Sequence, residues 1–194
     1  MPPGLDVSGT SNHGWFTFSG TAGGPNTDQT SMFFPGVAGY YGTIPDATNF
    51  DQNNITVETW VYFRNFAANS GPFVIARRET TNNKRVWALR CNTSGNAVFD
   101  CSVAGVVDTT ATGATALSLN TWYKLQGTFD GTTVTVYVNG VSDGTAALSG
   151  NLLATDRDII IGRNNTSGGN NLNGFLAAYA VSSVALGTFF LTQF

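Results

Sequence analysis

Apolar and polar residues alternate along most of this chain with a period of two. The clearest run is Ile55 to Phe63: Val57, Thr59, Val61 and Phe63 share one face, and Glu58, Trp60 and Tyr62 share the other. That spacing is the signature of a half-buried β-strand. Shorter strands are predicted at Trp15 to Phe18, Ser31 to Phe34, Tyr40 to Ile44, Phe73 to Arg77, Val86 to Cys91 and Ala97 to Val103. The second half adds Thr121 to Phe129, Val134 to Val138, Ile159 to Ile161 and Phe175 to Val181. Asp130-Gly131 and Asn139-Gly140 fall between alternating segments and predict tight hairpins. Pro35-Gly36 is expected to be a turn, and Asn164 to Asn171 an exposed loop. Nothing sustains a helical period, so the reading is all-β: a two-sheet antiparallel sandwich of roughly a dozen short strands.

Composition agrees with that reading. Of 194 residues only 11% are charged, against about a quarter in an average domain. The polar surface must therefore be made of Thr, Ser, Asn and Gly, which suit strands and turns. The hydrophobic share is 42%, with 14 Phe, and this opposes disorder. A formal net charge of -3 gives no footprint for nucleic acid, and no apolar run reaches the length of a membrane span. The start, Met1 to Asp6, has neither a basic nor an apolar stretch of the signal-peptide kind. The expectation is a chain folded in a cytoplasm, or one trimmed from a longer precursor. The N-glycosylation matches at Asn54, Asn92, Asn164 and Asn165 are read as chance in so Asn- and Thr-rich a chain.

Seven motifs then agree in order and spacing. They are Ser31 to Gly36 with Tyr41 to Asp46, Ile55 to Val61, Leu117 to Tyr123, Phe129 to Val134, Val136 to Gly140, Ile160 to Arg163, and Leu172 to Phe175. Over about residues 31–182 the chain resembles the laminin-G-like jelly roll of the concanavalin A-like lectin/glucanase group. The resemblance implies a jelly-roll sandwich over 15–182. The Gly-, Ser- and Pro-rich residues 1–14 are read as an arm, and residues 183–194, apolar where the family usually has a short polar helix, as a tail packing on the domain or a partner. It also implies a packed core role for Trp60, Trp122 and Tyr137. Where the family's closing strand carries an acidic pair, this chain has Ala177 and Ala178. Some members bind calcium at the rim; here Asp156 and Asp158 lie two apart with no third acid nearby, so calcium is allowed but not favoured and no cofactor is expected.

Candidate chemistry is sparse. Retaining glucanases of this fold need two carboxylates within about 5 Å. The only glutamates are Glu58 and Glu79, separated by a strand and a loop, and no Asp pair has suitable strand spacing. The sole histidine, His13, lies in the arm, and no nucleophile motif or Cys/His cluster accompanies it. The chain is therefore read as a non-enzyme. For Cys91 and Cys101, a two-residue Ser94-Gly95 turn pairs Cys91 with Val98 and sends the two sulfurs to opposite faces, which forbids a disulfide. A five-residue loop would permit one; free thiols are the favoured outcome.

Three features point to binding. Arg77, Arg78, Lys84, Arg85 and Arg90 crowd into fourteen positions, either as a docking patch for an acidic partner or anionic polysaccharide, or as solubilising charge at a strand edge. Tyr40 and Tyr41, with Trp15 and Trp87, offer stacking surface or core packing. Phe189, Phe190 and Phe194 crowd the tail and must pack on the domain or on a neighbour. The first functional reading is a virion surface protein, such as a capsid decoration or tail-appendage protein, folded in the host cytoplasm. Its partners would be other virion proteins or further copies of itself, with glycans as a further ligand. The alternative is a soluble or secreted lectin-like module.

Overall fold

The computed structural model describes residues 17–19, 31–47, 50–51, 53–79, 83–105, 107–164, 169–183 and 185. Alternation in the sequence becomes thirteen strands among them: β1 (Thr17–Ser19), β2 (Met32–Pro35), β3 (Tyr41–Ile44), β4 (Ile55–Asn65), β5 (Phe73–Glu79), β6 (Lys84–Cys91), β7 (Asn96–Cys101), β8 (Thr109–Ala116), β9 (Trp122–Phe129), β10 (Thr133–Val138), β11 (Val141–Ala147), β12 (Ile159–Ile161) and β13 (Asn173–Ser182). They form a seven-stranded sheet in the order β1-β3-β12-β5-β6-β7-β8 and a six-stranded sheet in the order β11-β10-β9-β4-β13-β2. All the pairings are antiparallel. This is the expected jelly-roll sandwich.

Between the sheets lies one apolar core. Val57, Val61 and Phe63 of β4 meet Leu125 and Phe129 of β9, Val134 and Val136 of β10, and Ile75, Trp87, Leu89 and Phe99 from the opposite sheet. Each of these side chains is essentially dry, and burying one stabilises the fold by about 1.5–3 kcal/mol. The turn chemistry follows the sequence. Asn139 and Gly140 both have positive φ, the pair that a two-residue hairpin between Val138 and Val141 requires. Asn139 also accepts a hydrogen bond from the Lys124 N–H through Oδ1 at 2.9 Å, tying the turn to β9.

One expectation about connections changes, and one expected turn proves to cross between the layers. Pro35-Gly36 does not link hairpin partners: β2 joins β13 in one sheet, whereas β3 joins β1 and β12 in the other. The turn is a crossing between layers. The β6–β7 hairpin is also one residue out of the expected register. Asn92 accepts from the N–H groups of both Ser94 and Asn96, closing a five-residue loop, and Cys91 pairs with Ala97 and Trp87 with Cys101. Both thiols therefore face the core. They remain free because four strand positions, about 13 Å, separate them along the ladder. A five-residue loop gives one face but not one place.

Two strands that the sequence hid close one side of the sandwich. β8 and β11, the edges of the two sheets, come together. A bulge in β11 makes Asp143 the extra residue, since Val136 pairs with Gly144 but Tyr137 with Ser142. Its carboxylate accepts from Thr115 Oγ1 at 2.6 Å and from the Thr115 N–H at 3.1 Å. A Cβ on Gly144 would strike the Thr112 carbonyl, so the close approach requires glycine there.

Candidate functional site

The basic cluster of β5 and β6 is placed by the fold among acids far away in the chain. Arg77 stands opposite Trp87 and is wholly buried. Its guanidinium pairs with Asp46 at 2.6 Å and Asp51 at 2.8 Å, and donates to the carbonyls of Phe50, Thr155 and Arg157. Arg78 leans over Phe73 and meets Asp108 at 2.8 Å and Asp100 at 3.5 Å. Arg90 holds Asp100 at 2.6 Å from the other side and also lies over Phe73. Arg85 approaches Asp108 at 3.8 Å, and Lys84 reaches Asp156 at 2.6 Å. Each of the five cations singled out as a docking patch, Arg77, Arg78, Lys84, Arg85 and Arg90, is thus met by an acid. Arg77 and Arg78 are buried, while Lys84, Arg85 and Arg90 keep part of their surface open.

The same cluster supplies an acid pair that strand spacing in the sequence did not suggest. Asp100 and Asp108 share Arg78 because β7 and β8 pair with Asp100 opposite Thr110. Asp100 also accepts from Thr110 Oγ1 at 2.7 Å, and its side chain is only 2% exposed. Burial pushes the Asp108 carboxyl above the usual carboxylate range, against the pull of Arg78. Both acids are engaged by guanidinium groups and Asp100 is closed to solvent. Of the two glutamates, Glu58 is buried within β4 and Glu79 pairs with Arg157 at 2.8 Å. At the rim, Asp156 is engaged by Lys84 and Arg157, which hold its carboxyl well below the usual range, and Asp158 accepts from the Asp46 N–H.

Among the aromatics, Trp87 is core. Tyr40 and Tyr41 are half-buried, and the Arg163 guanidinium lies 3.9 Å from the centre of the Tyr41 ring. Trp60 and Tyr137 are half-buried on the outward face of the six-stranded sheet. Trp122, expected in the core, is 39% exposed. The reason is alternation: its neighbour Tyr123 packs against the core and accepts from the Ser118 N–H, leaving Trp122 on the outward side of β9. Trp15, Phe189, Phe190 and Phe194 lie outside the described residues.

Trp122 is the end of a row. Strand register places Phe33 of β2 opposite Phe175 of β13, Phe175 opposite Tyr62 of β4, and Tyr62 opposite Trp122 of β9. Successive ring centres are 5.0, 5.7 and 5.6 Å apart, a continuous aromatic ledge across four strands. Exposed Arg64 places its guanidinium carbon 5.6 Å from the centre of Phe33. Along the same face, Lys124 lies 5.7 Å over Trp60. Sequence reasoning named Trp122 for the core and passed over Phe33, Tyr62 and Phe175. Only the cross-strand register brings them together.

The fold and these features define a class. A laminin-G family model, described as the concanavalin A-like lectin/glucanases superfamily, matches residues 36–188, and the chain belongs to that family. Among solved structures it is similar to the receptor-binding domain of botulinum neurotoxin C/D mosaic serotype, with a TM-score of 0.68 at 16% identity, over 92% of this chain and 45% of that one. It is likewise similar to the binding domain of Paraclostridial Mosquitocidal Protein 1, with a TM-score of 0.69 at 14% identity, over 95% of this chain and 48% of that one. The chain thus spans about half the length of these domains, and at such identity the likeness is one of fold. No curated protein sequence matches significantly.

Proposed function

We propose that the chain is a non-catalytic recognition module that binds through the aromatic ledge of its six-stranded sheet. The observation that carries this is the row Phe33, Phe175, Tyr62 and Trp122 on the outward face of the sheet, three rings half-buried and Trp122 exposed at its end. The engagement of the Asp100–Asp108 pair by arginines supports binding rather than turnover. The two solved neighbours are titled a receptor-binding domain and a binding domain, which agrees with the reading. A glycan-array screen with the full chain and with Trp122→Ala tests it. The expected result is retention by the full chain, loss with Trp122→Ala, and no new reducing ends on the bound glycans. Hydrolysis would overturn the non-catalytic reading.

A finer reading sets this module on a virion surface as a capsid decoration or tail-appendage protein, assembled with virion proteins or further copies of itself in a host cytoplasm. The low charge and the apolar segment Phe189 to Phe194 support it. The mass in solution of the full chain, compared with a chain ending at Leu186, tests it. Dissociation of an oligomer on truncation favours this reading, and a monomer in both forms favours a soluble or secreted lectin-like module. No cofactor is proposed.

A further inference from the structure

Five oxygens lie within 3.1 Å of the three guanidinium nitrogens of Arg77. Nη2 donates to Asp46 Oδ1 at 2.6 Å and to the Thr155 carbonyl at 2.7 Å. Nη1 donates to the Phe50 carbonyl at 2.7 Å and pairs with Asp51 Oδ1 at 2.8 Å, and Nε donates to the Arg157 carbonyl at 3.1 Å. Further bonds tie this cage together: the Thr155 N–H donates to Asp51 Oδ1 at 3.2 Å, and the Asp46 N–H to Asp158 Oδ1 at 2.9 Å. Carboxylates and main-chain carbonyls are the oxygen types that calcium takes. Asp156 and Asp158 lie on this same rim, where some family members bind that ion. Among the described residues, however, no three His, Cys, Asp or Glu side chains come together as a metal-holding group. The side chain of Arg77 is wholly closed to solvent and fills the place on which these oxygens converge.

We propose that this rim supplies its own cation: the Arg77 guanidinium takes the oxygen ligands that a calcium ion would use, and the loops at 46–51 and 155–157 close on it without a metal. Shape carries the argument. Calcium requires six to eight oxygens at about 2.3–2.6 Å from one point. Here five oxygens are ranged around the edge of a flat fork, each set against a nitrogen and not against a common centre. Charge alone does not decide, because a divalent ion would neutralise Asp46 and Asp51 more fully than one guanidinium does. Attachment does: the guanidinium is tethered to β5 and competes with any free ion at a high effective concentration. The remaining rim acids are engaged as well, Asp156 by Lys84 and Arg157, and Asp158 by the Asp46 N–H. The rim is therefore complete as soon as the chain folds, in media with or without calcium.

Thermal melting of the full chain tests this in calcium chloride, in a chelator, and in sodium chloride of matched ionic strength. The midpoint is expected to be the same in all three, and a rise with calcium that the chelator reverses overturns the proposal. Arg77→Ala should lower the midpoint by about 6–20 °C, with far-ultraviolet dichroism showing that the variant folds in the cold. Methylguanidinium at ten times its dissociation constant should then restore about 3–6 °C, and sodium chloride at the same ionic strength should restore nothing. Restoration by calcium as large as that by methylguanidinium overturns the shape argument and makes the cage a general cation site. Restoration by neither overturns the cage itself, since oxygens held in place would take the missing group back. Arg77→Lys serves where Arg77→Ala does not fold. It keeps the charge but loses the fork, so it should melt well below the native chain, and a midpoint equal to the native one overturns the shape argument.

Discussion

Arg77 shows what a buried charge demands of its surroundings. Two carboxylates and three main-chain carbonyls from residues 46–51 and 155–157 converge on its guanidinium, so one side chain fixes two loops to β5. Replacing Arg77 with Met leaves Asp46, Asp51 and those carbonyls without their donor. The expected loss is about 3–5 kcal/mol, measured as a fall in the urea midpoint. The thiols give a second prediction. Burial pushes Cys91 up from 9.0 to about 12, and Cys101 well above its ordinary value. In the unfolded chain both ionise near pH 9, so between there and pH 12 the unfolded state binds fewer protons than the folded one. Stability that is complete below pH 9 is therefore lost as pH rises, by about 1.4 kcal/mol per pH unit per thiol. Burial of the Tyr179 hydroxyl raises its titration too, adding a similar loss above pH 10. Denaturation midpoints taken from pH 8 to 10.5 should fall, and the double substitution Cys91→Ala, Cys101→Ala should flatten that fall.

At the scale of elements, strongly alternating strands and Asx-Gly hairpins were legible because period and turn chemistry are local. β8 and β11 were not, since edge strands rich in Thr, Ala and Gly bury little and lack an apolar stripe. The β6–β7 register was missed because a side chain, Asn92, rather than the Ser94-Gly95 dipeptide, organises the loop. Layer assignment was equally hidden, for Pro35-Gly36 marks a change of direction and not its destination. The β8–β11 contact makes its own prediction. Gly144→Val forces a side chain into the Thr112 carbonyl and should cost about 1–3 kcal/mol. Asp143→Ala removes the acceptor of both Thr115 bonds and should cost about 1–2 kcal/mol. Thermal melting measures both.

For the molecule as a whole, the candidate site was only half visible in the sequence. The basic cluster could be counted, but its acids come from Asp46, Asp51, Asp100, Asp108 and Asp156, which only the completed sandwich assembles. The ledge likewise draws its four rings from β2, β13, β4 and β9, spread over residues 33–175. Such pairings are non-local, and loops must close before they contribute, so stopped-flow refolding should run on a timescale of milliseconds to seconds. Trp122→Ala, which disturbs only an exposed ring and its contact with Tyr62, should lower stability by about 1 kcal/mol or less.

The union of β8 with β11 also limits how copies of this chain can join. The unpaired N–H and C=O groups of an edge strand are a template for a strand of another chain. Here the β8 border of one sheet is met by the β11 border of the other, so among the described strands β1 and β2 are the borders left for strand addition. A strand-to-strand union of two copies would therefore run through the side of the sandwich away from the β8–β11 seam.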